Sequence, residues 1–304
     1  MSTRGATDLS GIICVDKPAG MTSHDVVAAV RRITGERRVG HAGTLDPMAT
    51  GVLVVLVGPA TRLTPYLTSE EKIYAARITF GSSTDTDDAE GETTSTLPVP
   101  AEVSDIHAAR AQVEGLVGTI EQTPPAYSAV KLQGKKAYEL ARAGKEVVIA
   151  PRTVRIIEAR LDGIIDGPPV SWNITTRVSK GFYIRSLARD LGESLGTAAH
   201  LGGLRRLASG KLTTSRARPL ESFQAADDIS EMFIPSREVL EMETISVSQG
   251  IARQVATGSQ LPGMLADEDQ PGPFAVVAGG KVIGIYARAE EFLKAEAVFP
   301  GGIA

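Results

Sequence analysis

Six consecutive apolar residues, Val52-Leu53-Val54-Val55-Leu56-Val57, constrain this chain more than any other stretch. Their length and their β-branching read as a buried strand rather than a helix. Gly11–Val15 (GIICV) reads as a second short buried strand. The segment DKPAGM then turns, Ser23 is the expected N-cap of a helix over His24–Ile33, and Gly35 closes that helix. Tyr74–Gly81 alternates as a strand, residues 82–100 form a polar excursion with no packing pattern, and Val103–Leu116 is expected to be helical. A long connection runs from Gln122 to Pro151, with strands expected at Val154–Asp162 and Ser171–Val178 and a helix over Tyr183–Leu195. Strands and helices alternate too irregularly for a doubly wound or barrel arrangement, so an α+β fold is expected, a mixed sheet flanked by helices.

Charge divides the chain. The net charge is −4, which does not attract a polyanion, but residues 221–304 hold 13 acidic and 5 basic side chains against 27 basic and 23 acidic in residues 1–220. Between Ser194 and Leu220 there is no acid, yet Arg205, Arg206, Lys211, Arg216 and Arg218 are present. A second basic stretch carries Lys131, Lys135, Lys136, Arg142 and Lys145. Local patches of this kind are the footprint of a phosphate backbone, although a solvated face shows the same residues. The acidic character begins near Pro235, which gives two expected domains, residues 1–234 and 235–304. In the second, strands at Phe274–Val277 and Val282–Tyr286 around a Gly-Gly turn suggest a small β-rich module.

Other classes drop out on composition. The single cysteine, Cys14, forms no internal disulfide and no cysteine-based zinc site, and four scattered histidines offer little to a metal. No run approaches the roughly 18 apolar residues of a membrane span. The opening MSTRGATDLS lacks the apolar stretch of an export signal. A reduced, cytoplasmic protein without metal or cofactor is expected.

The stretch Gly40-His41-Ala42-Gly43-Thr44-Leu45-Asp46-Pro47 carries the most chemical information. Asp-Pro is ordinary turn chemistry. Set in a glycine-rich loop between a helix and an apolar strand, it also reads as a carboxylate on a tight loop that lets a substrate approach the backbone. Both readings stand on these residues alone.

GHAGTLDPMATGVL resembles the signature loop of the bacterial tRNA pseudouridine-55 synthases, the TruB family of pseudouridine synthases. Four further stretches resemble that family's other motifs in the same order. They are Asp16–Ser23 (DKPAGMTS), Lys72–Tyr74 with Gly81 and TDTDDAEG, Gln122–Ala129 (QTPPAYSA) and Lys180–Leu187 (KGFYIRSL). Ala199–Leu201 with Leu204–Leu207 makes a further match, so the resemblance spans residues 11–207.

The resemblance implies the pseudouridine synthase fold, a mixed, largely antiparallel sheet flanked by helices, with a small PUA-like domain at the C-terminus. It implies isomerisation of uridine 55 in the TΨC arm of tRNA, by base flipping and an aspartate-dependent break and re-formation of the glycosidic bond. No cofactor, metal, guide RNA or obligatory protein partner is implied. Asp46 resembles the catalytic carboxylate, and Arg185 the arginine that pairs with it. A carboxylate in a dry pocket tends to protonate, so a nearby cation is needed to keep it charged. Tyr74 resembles the tyrosine that stacks on the flipped uracil and helps move its C5 proton. Tyr183 and Leu204 resemble pocket walls. His41 resembles the histidine that fills the place of the extruded nucleotide, and Lys17 supports the loop. The stretch 122–151 occupies the place of an RNA-clamping insertion, with Lys131, Lys135 and Lys136 implied, like Arg205 and Arg206, at the RNA backbone. The acidity of residues 235–304 departs from what phosphate binding by that domain needs. The alternatives are an RNA-binding module without chemistry and a synthase aimed at another RNA.

Overall fold

The computed structural model describes residues 7–68, 70–128, 130–132, 134–144, 147–267 and 269–304. Ala129 and Lys145, and the side chains of Lys136 and Arg142, lie outside the described residues. The chain divides into two compact units, one of residues 1–47, 51–70 and 208–304, the other of residues 48–50 and 71–207.

In the first unit the two apolar runs are paired strands. Gly11–Lys17 lies antiparallel to Thr50–Val57, in register from Gly11 opposite Val57 to Lys17 opposite Gly51. Val39–Ala42 pairs antiparallel with the second half of the same strand, and Arg218–Pro219 joins Gly11–Lys17 in parallel. Val52, Leu53, Val55, Leu56 and Val57 are fully buried, which is why the sequence there has no polar alternation. Register has a chemical consequence: it sets Lys17, the last residue of its strand, beside the loop that precedes Gly51.

The helix after the turn is Ser23–Thr34, and its N-cap is Thr22 rather than Ser23. Thr22 Oγ1 accepts from the Asp25 amide and the Asp25 carboxylate accepts from the Thr22 amide, a reciprocal capping box. Ser23 is 1% exposed and is engaged elsewhere. Gly35 does close the helix, in the left-handed region at φ 65.

The C-terminal residues form a five-stranded sheet in the order Glu243–Ser246, Phe274–Ala278, Lys281–Ala289, Phe292–Ile303, Leu261–Pro262. It agrees with the expected β-rich module and holds both sequence-read strands. Its apolar face is continuous with the N-terminal strands: Val277, Val282, Ile285, Phe299 and Ile303 belong to one buried cluster with Ile12, Cys14, Val54 and Leu56. Tyr66 Oη donates to Glu296 at 2.6 Å and Arg62 to the Val298 carbonyl at 2.9 Å, adding polar ties to the same contact.

Three strand pairings of the second unit are antiparallel. Lys72–Phe80 pairs with Ser171–Val178, which pairs with Arg152–Ile165, which pairs with Gly118–Gln122. On the other side Lys72–Phe80 neighbours Ala199–Ser209. Trp172 is fully buried, edge-on to Phe80 with ring centroids 4.8 Å apart, and donates its indole N–H to the Val103 carbonyl. The expected helix over Val103–Leu116 is shorter, Ile106–Glu114, because Asp105 caps it by accepting from the amides of His107 and Ala108. The helix near Arg185 spans Ile184–Ser194, with Tyr183 as its N-cap residue.

Residues 82–100 correct the sequence reading. They contain a hairpin, Ser82–Thr84 against Thr93–Thr96, and its tip turns back into the protein so that Asp88 is 4% exposed. Polarity hid this because the packing partners of the turn are charged. The α+β architecture, with mixed pairing in the first unit and a β-rich C-terminal sheet, is the class expected.

Candidate active site

The candidate residues fall in two groups, one in each unit. In the first unit Asp46 is half-buried, and the backbone on both sides of it is held. On the N-terminal side, Leu45 N–H donates to Ser23 Oγ at 2.9 Å while Ser23 Oγ–H donates to the Leu45 carbonyl at 3.1 Å. On the C-terminal side, the Pro47 carbonyl accepts from the Gly20 amide at 2.9 Å and from Lys17 Nζ at 3.1 Å. Lys17 is fully buried and also donates to the carbonyls of Pro18, at 2.9 Å, and Met21, at 2.5 Å. Gly43, at φ 91, supplies a backbone conformation that a side chain would strain. The motif DKPAGMTS thus wraps the aspartate loop with one buried ammonium, one amide and one hydroxyl. A carboxylate whose neighbours are fixed this way has little orientation left to lose on meeting a substrate, which is the geometric condition for efficient attack or proton removal.

His41 sits on the strand Val39–Ala42, half-buried, edge-on to the exposed His24 with ring centroids 5.5 Å apart. His24, on the first turn of its helix, is a neighbour that sequence reading passed over.

In the second unit Arg185 is 5% exposed. It donates to the carbonyls of Thr86 and Tyr127, each at 2.9 Å, and its Nε lies 3.7 Å from the Asp88 carboxylate. Asp88 is held in turn by Thr86 Oγ1 at 2.6 Å and by the Glu90 amide at 3.1 Å. Tyr183 is fixed through its backbone: the Gln122 side-chain oxygen accepts from its amide at 2.8 Å and the Gln122 amide nitrogen donates to its carbonyl at 3.1 Å. Tyr74 is 9% exposed on Lys72–Phe80, and Leu204 is half-buried on the neighbouring strand Ala199–Ser209. Asp88 and Gln122 were missed as individual residues. Their signals were the adjacent acids Asp87 and Asp88 within the acidic run TDTDDAEGE, and the opening residue of QTPPAYSA.

Lys131 and Lys135 are exposed on a two-stranded ribbon, Lys131–Leu132 against Lys135–Lys136, turned at Gly134. The insertion has a small core of its own, Val130, Ala137 and Ile149, on which Tyr183 packs. Arg205 is half-buried with Thr50 Oγ1 at 3.4 Å, whereas Arg206 is 1% exposed. Successive strand residues face opposite ways, so the two arginines do not serve one surface. Among the described residues there is no helix long and apolar enough to cross a membrane.

Comparisons with known proteins agree with this arrangement of motifs. Residues 31–184 match the family model described as TruB family pseudouridylate synthase (N terminal domain), and residues 185–244 match that of the tRNA pseudouridylate synthase B C-terminal domain. A protein of Arthrobacter sp. (strain FB24) named tRNA pseudouridine synthase B is 41% identical over 300 residues, 96% of this chain and 97% of its own. The protein of that name from Thermobifida fusca (strain YX) is 48% identical over 256 residues, covering 83% and 86%. Among solved structures, a chain of the archaeal box H/ACA sRNP Nop10-Cbf5 complex superposes with a TM-score of 0.69 at 22% identity, covering 95% of this chain and 86% of that one, and shows a shared fold.

Proposed function

The chain belongs to the TruB family of pseudouridylate synthases, and from that premise we propose that it isomerises uridine 55 in the TΨC arm of tRNA, with Asp46 as the reacting carboxylate. In this reaction the N1–C1′ bond breaks, the uracil turns in place, and C5 joins C1′. The C5 proton then leaves and N1 gains one, so nothing is oxidised and no group is donated from outside. Asp46 acts at the ribose, Arg185 supplies the positive charge that keeps a carboxylate ionised in a dry site, and Tyr74 stacks on the uracil and serves the C5 proton. Tyr183 and Leu204 wall the pocket, His41 occupies space left by the flipped nucleotide, and Lys17 holds the aspartate loop. Flipping costs a few kcal/mol, and stacking on an aromatic ring returns roughly 1–3 kcal/mol. The chain works on tRNA in the cytoplasm without guide RNA or protein partner. Residues 1–234 form its catalytic domain and residues 235–304 a PUA-like domain.

The observation that carries this reading is the double clamp on Leu45 and Pro47, which fixes the backbone on both sides of Asp46. Pseudouridine mapping of RNA from cells with and without the gene tests the substrate. The proposal expects loss at uridine 55 of tRNA, and a loss confined to another RNA overturns it.

Lys131, Lys135, Lys136 and Arg205 are proposed at the RNA backbone. Three or four phosphate contacts predict that tRNA affinity falls by about 50-fold between ~50 and ~200 mM salt, through counterion release. Replacing Lys131 and Lys135 with alanine flattens the log–log slope by about 1–2. A response independent of salt, or an unchanged slope in the double variant, contradicts these contacts.

A further inference from the structure

One turn after Arg185 the helix Ile184–Ser194 carries a second arginine that the proposed chemistry does not use. The Arg189 side chain is 25% exposed, and its fork is spread over three partners. It donates to the Asp87 carboxylate at 2.9 Å, to the Thr123 carbonyl at 3.0 Å, and to the Asp190 carboxylate at 2.8 Å. Asp87 lies in the left-handed region at φ 61, which aspartate enters more readily than most side chains. Its carbonyl accepts from the Leu201 amide and the Leu201 carbonyl accepts from the Ala89 amide, each at 3.0 Å, which pins the 87–89 turn to the strand Ala199–Ser209. Burial pushes the Asp87 carboxyl up, and the guanidinium of Arg189 pulls it down, so the pair is a partly desolvated one rather than a solvated surface contact.

Thr123 stands at the entry to the insertion, and its carbonyl accepts a second bond from Ser186 Oγ at 2.8 Å. A single guanidinium therefore holds both the entry to the insertion and the turn next to Asp88, the carboxylate beside Arg185. We propose that Arg189 is a positioning residue that couples the seating of the insertion on the tRNA to the setting of Arg185 for catalysis. This rests on the function proposed above. Lysine cannot replace it, because a compact ammonium has no planar fork to span Asp87 and Thr123 together.

The test uses the purified full chain with Arg189→Ala, Asp87→Ala, the double variant and Arg189→Lys. Three quantities are measured: the single-turnover rate at saturating tRNA, the tRNA Kd, and the melting temperature. The rate is expected to fall by about 10- to 100-fold in each alanine variant, the scale of an ångström-sized misplacement. Kd changes less than about twofold, and the double variant is no slower than either single one, as for residues acting as a unit. Arg189→Lys recovers the melting temperature but not the rate. Wild-type rates in the variants, a loss confined to Kd, or full rescue by lysine overturns the proposal. Should the wild-type chain form no pseudouridine, the functional reading fails, and amide exchange then tests the coupling by itself. Arg189→Ala must speed exchange in both 84–91 and 123–128, and a change in one or neither overturns it.

Discussion

Replacing Asp46 with asparagine is expected to abolish pseudouridine formation, lowering the single-turnover rate by roughly 10³-fold or more, the scale on which a directly reacting side chain acts. The substitution is nearly isosteric and leaves the clamps on Leu45 and Pro47 in place, since those use backbone atoms of the loop and the side chains of Ser23 and Lys17. What disappears is the negative charge and the nucleophilic or basic oxygen. The proposed phosphate contacts and base stacking lie elsewhere, so the variant should hold tRNA within about threefold of the wild-type affinity. A variant that folds, binds and still turns over within tenfold of wild type removes Asp46 from the chemistry.

The second large effect is expected at Lys17, whose ammonium donates to the Pro47 carbonyl of the aspartate loop. Lys17→Met keeps the aliphatic stem and removes the ammonium, leaving the carbonyls of Pro18, Met21 and Pro47 without that donor. A hydrogen bond to a charged group is worth about 1.5–3 kcal/mol, while burying an ammonium carries a desolvation cost that its removal relieves, so a net destabilisation of about 2–4 kcal/mol is expected. At this chain length that corresponds to a fall in melting temperature of roughly 3–6 °C. The rate should drop by about 10- to 100-fold at temperatures where the variant remains folded, because a loosened loop no longer presents the carboxylate in one orientation. Unchanged melting and unchanged rate in Lys17→Met contradict the account of the loop.

Local signals in the sequence reached the fold's main elements. Val52–Val57 is the buried strand it resembled, Ser171–Val178 has the expected bounds, and the C-terminal strands flank the Gly-Gly turn as expected. Three features were beyond such reading because their causes are distant in sequence. Ser23 looks like a cap by position, but a partner 22 residues away, Leu45, claims its hydroxyl and Thr22 does the capping. Asp88 looks solvated by composition, but Arg185, 97 positions on, accompanies it into the interior. The segment 82–100 was read as unpacked for the same reason. The acidity of residues 235–304 suggested a separate appendage, whereas the face they bury meets Ile12, Cys14 and Leu56, and charge on the outer surface gives no sign of that.

The aspartate loop was legible as a motif and illegible as a mechanism. Its glycines and Asp-Pro step fit a plain turn equally well, and the clamps from Lys17, Gly20 and Ser23 on the flanking backbone come from residues too distant in sequence to be read from the loop itself. The two basic stretches separated on burial. Lys131 and Lys135 stand on an exposed ribbon, while Arg206 turns inward beside Arg205 because a strand alternates its faces.

The most direct measurement is tritium release from a tRNA transcript labelled at C5 of its uridines, incubated with the purified chain alone and followed by mapping of the modified position. The account predicts release of one equivalent per tRNA, with the new pseudouridine at position 55 and no requirement for added protein or RNA. No release from tRNA that the chain demonstrably binds, or release from a different position, contradicts it.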